Sequence, residues 1–203
     1  MKRYVKEVFD VATIDHAKHV VLTSDPNNPA KFEQETNFLI NAIQQQKIIS
    51  DNSVVLDFGC GMGRVSKQLI NTFNCTVVGV DISESMLKFA MLYIAKPQRF
   101  RFGTSYSIPE SIDVGISTFV LQHTENPIKE IENIYNVIKP GGWFILLNEN
   151  KRFVPSDVDS NNFVIWNDDG VDIHNEVGKR FVEKHRVRYC LTDTYIVFYQ
   201  KEV

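Results

Sequence analysis

The chain has 203 residues, 43% of them hydrophobic, and a formal net charge of −3 at pH 7. That apolar content can bury one sizeable core and points to a single domain over residues 1–203, while the mild negative charge without basic runs argues against nucleic acid as a partner. No apolar run approaches the roughly 18 residues of a membrane span, so no membrane partner is expected. Three cysteines, Cys60, Cys75 and Cys190, are odd in number and lack metal-ligand spacing, which suits a reducing, cytoplasmic setting.

In chain order, MKRYVKEVFD alternates charges and lacks the apolar core of a signal peptide. The first 50 residues read as a helical cap. Asp25-Pro26-Asn27-Asn28-Pro29 forms a loop before a helix from about Lys31 to Lys47. His16 and His19 could share one side of a helix, but without a carboxylate partner they predict no metal site.

Ser53 to Val65, SVVLDFGCGMGRV, is the most informative stretch. Val54, Val55 and Leu56 read as a buried parallel strand, and Asp57 sits where it would emerge. Gly59, Gly61 and Gly63 then permit a sharp turn that brings backbone close to a ligand. A helix follows whose free N–H groups would favour a carboxylate or phosphate. The dinucleotide fingerprint G-x-G-x-x-G would need glycine at position 64, where this chain has Arg64. Arg64 itself reads equally as a carboxylate ligand or as a residue of the helix start.

Cys75 to Asp81, CTVVGVD, is a second apolar strand ending in an acid, about 20 residues beyond the loop, where a carboxylate can accept ribose hydroxyls. Ser83 reads as a helix N-cap, and Met86, Leu87 and Ala90 form an apolar stripe. Arg99 to Phe102 reads as a third strand. Ile112 to Leu147 then reads as strand (to Thr118), loop, helix, turn and strand (Trp143 to Asn148). Asn126 is its N-cap and Pro127 its first turn, while Ile128, Ile131, Tyr135 and Ile138 recur at helical spacing; Pro140 ends the helix and Gly141-Gly142 turn into WFILL. Glu183 to Cys190 and Tyr195 to Lys201 form a hairpin-like pair joined by LTDT. The alternation predicts a doubly wound α/β sheet with ligand over the C-terminal strand ends.

DFGCGMGR with its G-x-G-x-G spacing, the acid ending CTVVGVD, and the VLQHTENP and KPGG phrases together resemble the class I S-adenosylmethionine-dependent methyltransferases of small-molecule type, over roughly Ser53 to Asn148. The resemblance implies a Rossmann-like seven-stranded sheet with an antiparallel C-terminal pair, S-adenosylmethionine as cofactor and S-adenosylhomocysteine as product. It places Asp57, Gly59, Cys60, Gly61, Gly63 and Asp81 around the cofactor. Ile82 would pack on the adenine, and Phe119 joins the set from the fourth-strand end. Met86 is either a cofactor contact or core filler. Many members place an acid after the third strand; this chain reads RFGTSYS, so Thr104 or Ser105 would accept the adenine amino group instead.

The implied acceptor is a small molecule with a nitrogen or oxygen nucleophile, because STFV after the fourth strand is not the NPPY-like motif of the adenine and glutamine enzymes. Residues 151–181 are a candidate lid. Between Phe153 and Gly178 it holds Asp157, Asp159, Asp168, Asp169, Asp172 and Glu176 without lysine or arginine, which would favour an amine or amino sugar, or would keep a surface loop solvated. Trp166 would pack on a sugar or pin that loop. His123 is the candidate general base, with Glu149 and His174 as alternatives. A non-catalytic S-adenosylmethionine-binding partner or sensor and an RNA methyltransferase are competing readings; the glycine spacing disfavours an NAD enzyme.

Overall fold

The computed structural model describes residues 6–22, 30–104, 111–148, 171–189 and 194–203. Its strands make a mixed seven-stranded sheet in the order β3-β2-β1-β4-β5-β7-β6. The chain packs as two compact units, one ending at Ile108 and one beginning at Pro109.

In the first unit the β-branched runs form β1 (Val54–Phe58) and β2 (Thr76–Val80), which pair in parallel, and β3 (Phe100–Gly103) pairs with β2. Four consecutive residues of β1 and of β2 are buried, as expected of strands covered on both faces. Helices α1 (Ile14–Leu22), α2 (Lys31–Gln46), α3 (Arg64–Phe73) and α4 (Glu84–Ile94) complete it. The α4 stripe holds: Met86, Leu87, Ala90 and Ile94 are buried, and Ser83 Oγ accepts the Met86 N–H at 3.3 Å as the N-cap. Gly79 is required by packing, since a Cβ there would lie 2.7 Å from the Phe100 ring and 2.8 Å from Cys60 Sγ.

The second unit contains β4 (Ile112–Thr118), α5 (Pro127–Val137), β5 (Ile138–Asn148), α6 (Ile173–Gly178), β6 (Val182–Tyr189) and β7 (Thr194–Gln200). β5 runs parallel to β4, and β7 lies antiparallel between β5 and β6. Asn126 caps α5 as expected, its Oδ1 accepting the Lys129 N–H at 3.0 Å.

Two expectations for this unit change. The buried residues of α5 are Pro127, Ile131 and Ile134, while Ile128 is exposed. The helix also stops at Val137, before Pro140. Ile138 is already extended (φ −76°, ψ 133°) and pairs with Ile112. Pro140 has no N–H to continue a helix and biases Lys139 toward extended backbone, so the break falls earlier. Residues 139–142 then loop out opposite Asp113, with Gly141 at φ 76°, before regular pairing resumes at Trp143. Lys201 Nζ donates to the carbonyls of Tyr135 and Ile138 at 2.7 Å each and so closes the end of α5. Among the described residues no helix is long and apolar enough to cross a membrane.

Candidate functional site

Gly59, Gly61 and Gly63 all adopt left-handed backbone, with φ of 73°, 53° and 82°. The turn hangs from the end of β2: the Gly59 and Cys60 N–H groups both donate to the Val80 carbonyl, at 2.7 and 3.0 Å. Space enforces the glycines as well. A Cβ on Gly63 would lie 2.6 Å from Ile94 Cδ1, and one on Gly61 would lie 3.1 Å from Val21 Cγ2. Helix α1 thus packs against the loop, with Val11, Ala17, Met62 and Met86 forming one buried cluster.

Asp81 stands half-buried just past β2 and accepts two backbone hydrogen bonds. Gly61 N–H donates to Oδ2 at 2.7 Å and Ser83 N–H to Oδ1 at 2.9 Å. The Ile82 N–H also faces it, and an ionised carboxylate has about four lone-pair positions, so acceptor capacity remains for a ligand. Burial, opposed by the Ser83, Gly61 and Ile82 N–H groups, raises its pKa.

Asp57 is 1% exposed and turns into the protein. The Ser66 hydroxyl donates to its Oδ2 at 2.6 Å, and the Ser66 backbone N–H also faces it. It therefore supplies the anion at the start of α3, where Gly63 gives no side-chain cap. Burial outweighs those bonds and the nearby Arg64 charge, pushing its pKa from 3.8 up to about 6. Arg64 is also buried, and its Nη1 donates to Thr36 Oγ1 of α2 at 2.8 Å.

The remaining candidates are less concentrated. Ile82 and Thr104 are exposed at strand ends, Met86 is buried in the α1 cluster, and Cys60 is a buried free thiol whose pKa burial raises well above the ordinary value. Ser105, Glu149, Trp166 and Cys190 lie outside the described residues. In the second unit, Phe119 follows β4 with φ 56°, an uncommon conformation for a non-glycine residue, held by its N–H donating to the Leu147 carbonyl at 2.7 Å. Its ring meets Tyr189 edge-on at 5.9 Å. His123 is half-buried at the end of the 3-10 turn Leu121–His123, its Nε2 3.4 Å from Gln122 Nε2. His16 and His19 are exposed on α1, and among the described residues no group of three His, Cys, Asp or Glu could hold a metal.

Several polar residues were missed from sequence. Ser117 Oγ and Gln122 Oε1 are buried with no hydrogen-bond partner among the described residues. Residues 151–170 of the candidate lid segment lie outside the described residues, and His174, in the same segment, ties α6 to the sheet. Its Nε2 is 3.3 Å from the Asn148 carbonyl and its Nδ1 is 3.2 Å from Tyr199 Oη. A carbonyl only accepts, so Nε2 carries the proton and the tyrosine donates to Nδ1. Burial lowers the His174 pKa and raises that of Tyr199. An open cleft of about 710 Å³ beside them is lined by Lys179, Glu183, Arg186 and their neighbours.

Residues 56–146 match the family described as "Methyltransferase domain". Over that stretch, a little under half of its length, the chain is similar to methyltransferases. It is 34% identical over 111 residues to the biotin biosynthesis bifunctional protein BioHC of Teredinibacter turnerae, covering 48% of this chain and 20% of that protein. It is 29% identical over 140 residues to a ubiquinone biosynthesis O-methyltransferase of Thiobacillus denitrificans, covering 63% of this chain and 59% of the relative. The chain thus spans less than two thirds of these curated relatives. In fold it resembles the N-methyltransferase NodS of Bradyrhizobium japonicum, solved with S-adenosylhomocysteine (TM-score 0.65, 15% identity, 91% of this chain and 96% of that one).

The methyltransferase domain fits the family's cofactor at the residues present. The left-handed glycines bare the backbone at positions 59, 61 and 63, while the Cys60 and Met62 side chains are buried, and the Asp81 carboxylate stands beside the turn.

Proposed function

We propose that this methyltransferase domain moves a methyl group from S-adenosylmethionine to a nitrogen or oxygen of a small-molecule acceptor. The observation that carries this reading is the Asp81 carboxylate, anchored by Gly61 and Ser83 with acceptor capacity to spare, beside three left-handed glycines. The relatives' names, an O-methyltransferase of ubiquinone biosynthesis and an N-methyltransferase, support small acceptors. The cofactor, when bound, supplies an activated methyl on a good leaving group.

The chain's own contribution is then mainly placement. Holding two reactants in line is worth roughly 7–11 kcal/mol in favourable cases. Asp81 would hold the ribose, and Asp57 would place negative charge behind the glycine turn, toward the methionine ammonium. A hydroxyl acceptor also needs a base, and His123 is the residue we assign to take that proton at an imidazole nitrogen. Of the acidic run, Asp157, Asp159, Asp168 and Asp169 lie outside the described residues. Asp172 Oδ1 accepts the Asn175 N–H and Glu176 pairs with Lys179, so both serve α6.

Incubation with methyl-labelled S-adenosylmethionine and a panel of amines, amino sugars and phenols, with RNA as a control, tests the reading. Label in a small molecule is expected. Label in RNA alone would remove the small-molecule claim, and cofactor binding without any transfer would favour the non-catalytic alternative. With a hydroxyl acceptor, His123→Ala should lower kcat about a hundredfold.

A further inference from the structure

Asp10 lies 71 residues before Asp81, in a segment whose composition says nothing of cofactor binding. It follows a 3-10 turn (Lys6–Phe9) and reaches the start of α4. Ser83 Oγ donates to Asp10 Oδ1 at 2.8 Å, and Ser85 Oγ lies 3.4 Å from the same oxygen. The next residue is held too: Val11 N–H donates to Ser85 Oγ at 2.9 Å, and the Val11 side chain is buried against Ala17, Met62 and Met86. From Asp10 an unbroken chain of hydrogen bonds runs through Ser83 to Asp81, and from Asp81 to Gly61.

The protons in this chain are countable. A serine hydroxyl has one proton, and an ionised carboxylate only accepts. With Ser83 donating to Asp10, the Ser83 oxygen receives the Met86 N–H, and the 2.9 Å contact with Ser85 is filled by the Ser85 proton. Ser83 then meets Asp81 through its backbone N–H alone. Asp81 accepts from the backbone of Ser83 and Gly61, with the Ile82 N–H also facing it, and no hydroxyl competes for what remains.

We propose that Asp10 is a positioning residue for the cofactor ribose: by taking the Ser83 proton it fixes the Asp81 carboxylate and keeps its remaining acceptor capacity for ribose hydroxyls. This rests on Asp81 as the ribose acid. It makes the segment around Asp10 part of the cofactor site without requiring it to touch the cofactor. The Asp10 charge also contributes to the raised pKa of Asp81, so the two carboxylates are coupled electrostatically as well.

The test is calorimetric affinity for S-adenosylhomocysteine and for its 2′-deoxy analogue, on the native protein and on Asp10→Ala and Asp10→Asn, with thermal melts alongside. Asp10→Ala should weaken S-adenosylhomocysteine about five- to tenfold and the deoxy analogue much less, because part of the lost interaction is absent there already. Asp10→Asn keeps an acceptor oxygen and should stay within about twofold of native. Asp10 is exposed, but Ser83 is buried and loses its acceptor in Asp10→Ala, so Asp10→Ser, shorter by one bond, is the second truncation should alanine lower the melt. Equal weakening of both ligands, or none, would overturn the proposal by showing a merely structural contact. Failure of the native protein to bind S-adenosylhomocysteine would overturn the ribose-acid reading and this one with it, and is distinguished by needing no variant.

Discussion

The carboxylate of Asp81 and the backbone N–H of Gly61, twenty residues apart in sequence, are joined by a hydrogen bond of 2.7 Å. One side chain therefore both holds the glycine turn against β2 and presents acceptor atoms beside it. Removing it takes away the loop's anchor and, on the proposed function, the ribose contact together. Asp81→Ala should weaken S-adenosylhomocysteine binding about a hundredfold, from two hydrogen bonds to a charged group. Calorimetry checks this, and an affinity within threefold or so of native would sink the assignment of the ribose acid.

Gly63→Ala should destabilise the protein by about 2 kcal/mol, from left-handed backbone that costs an L-residue roughly 1–2 kcal/mol plus the contact with Ile94. For a chain of this size that lowers Tm by about 5 °C. Adding Ile94→Val removes Cδ1 and should restore only the steric share. Complete rescue would mean the backbone conformation costs little.

Asp57 carries a pH signature. Its folded pKa is raised from 3.8 to about 6, so between those values the native state holds a proton that the unfolded state has released. Stability from this group is thus fully present below pH 3.8 and falls as pH rises to about 6, by up to roughly 3 kcal/mol. Denaturant titrations at half-unit pH steps on native and Asp57→Asn protein isolate it. The difference between the two curves should slope across that window and be flat above it. A flat difference throughout would show that Asp57 is not buried as a carboxyl.

His174 has the opposite sign. Burial lowers its folded pKa below 6.5, so its contribution is present above pH 6.5 and is lost as pH falls through the folded value. Nuclear magnetic resonance titration of the imidazole should find the midpoint below 6.5 with the Nε2–H tautomer at pH 7. Tyr199→Phe removes the donor to Nδ1 and should cost about 1 kcal/mol. A midpoint at 6.5 would mean that the ring is solvated, and one above it that the cation is stabilised; either would show that α6 is held otherwise.

The sequence by itself determined what depends on neighbours within a few positions. Left-handed turns at Gly59, Gly61 and Gly63, the caps Ser83 and Asn126, the buried runs of β1 and β2 and the C-terminal hairpin all follow from backbone freedom, reach and β-branching, which are local properties. Its local reading failed at Ile138 and Pro140, where pairing with Ile112 won over helical spacing. Tertiary structure alone decided where the polar side chains turn. Asp57 faces Ser66, Arg64 reaches Thr36, His174 bridges Tyr199 and Asn148, and Asp10 takes the Ser83 hydroxyl. These partners are 9 to 73 residues apart, and a buried polar group bonds to whatever donor the packing of distant segments brings within reach, which no spacing rule encodes.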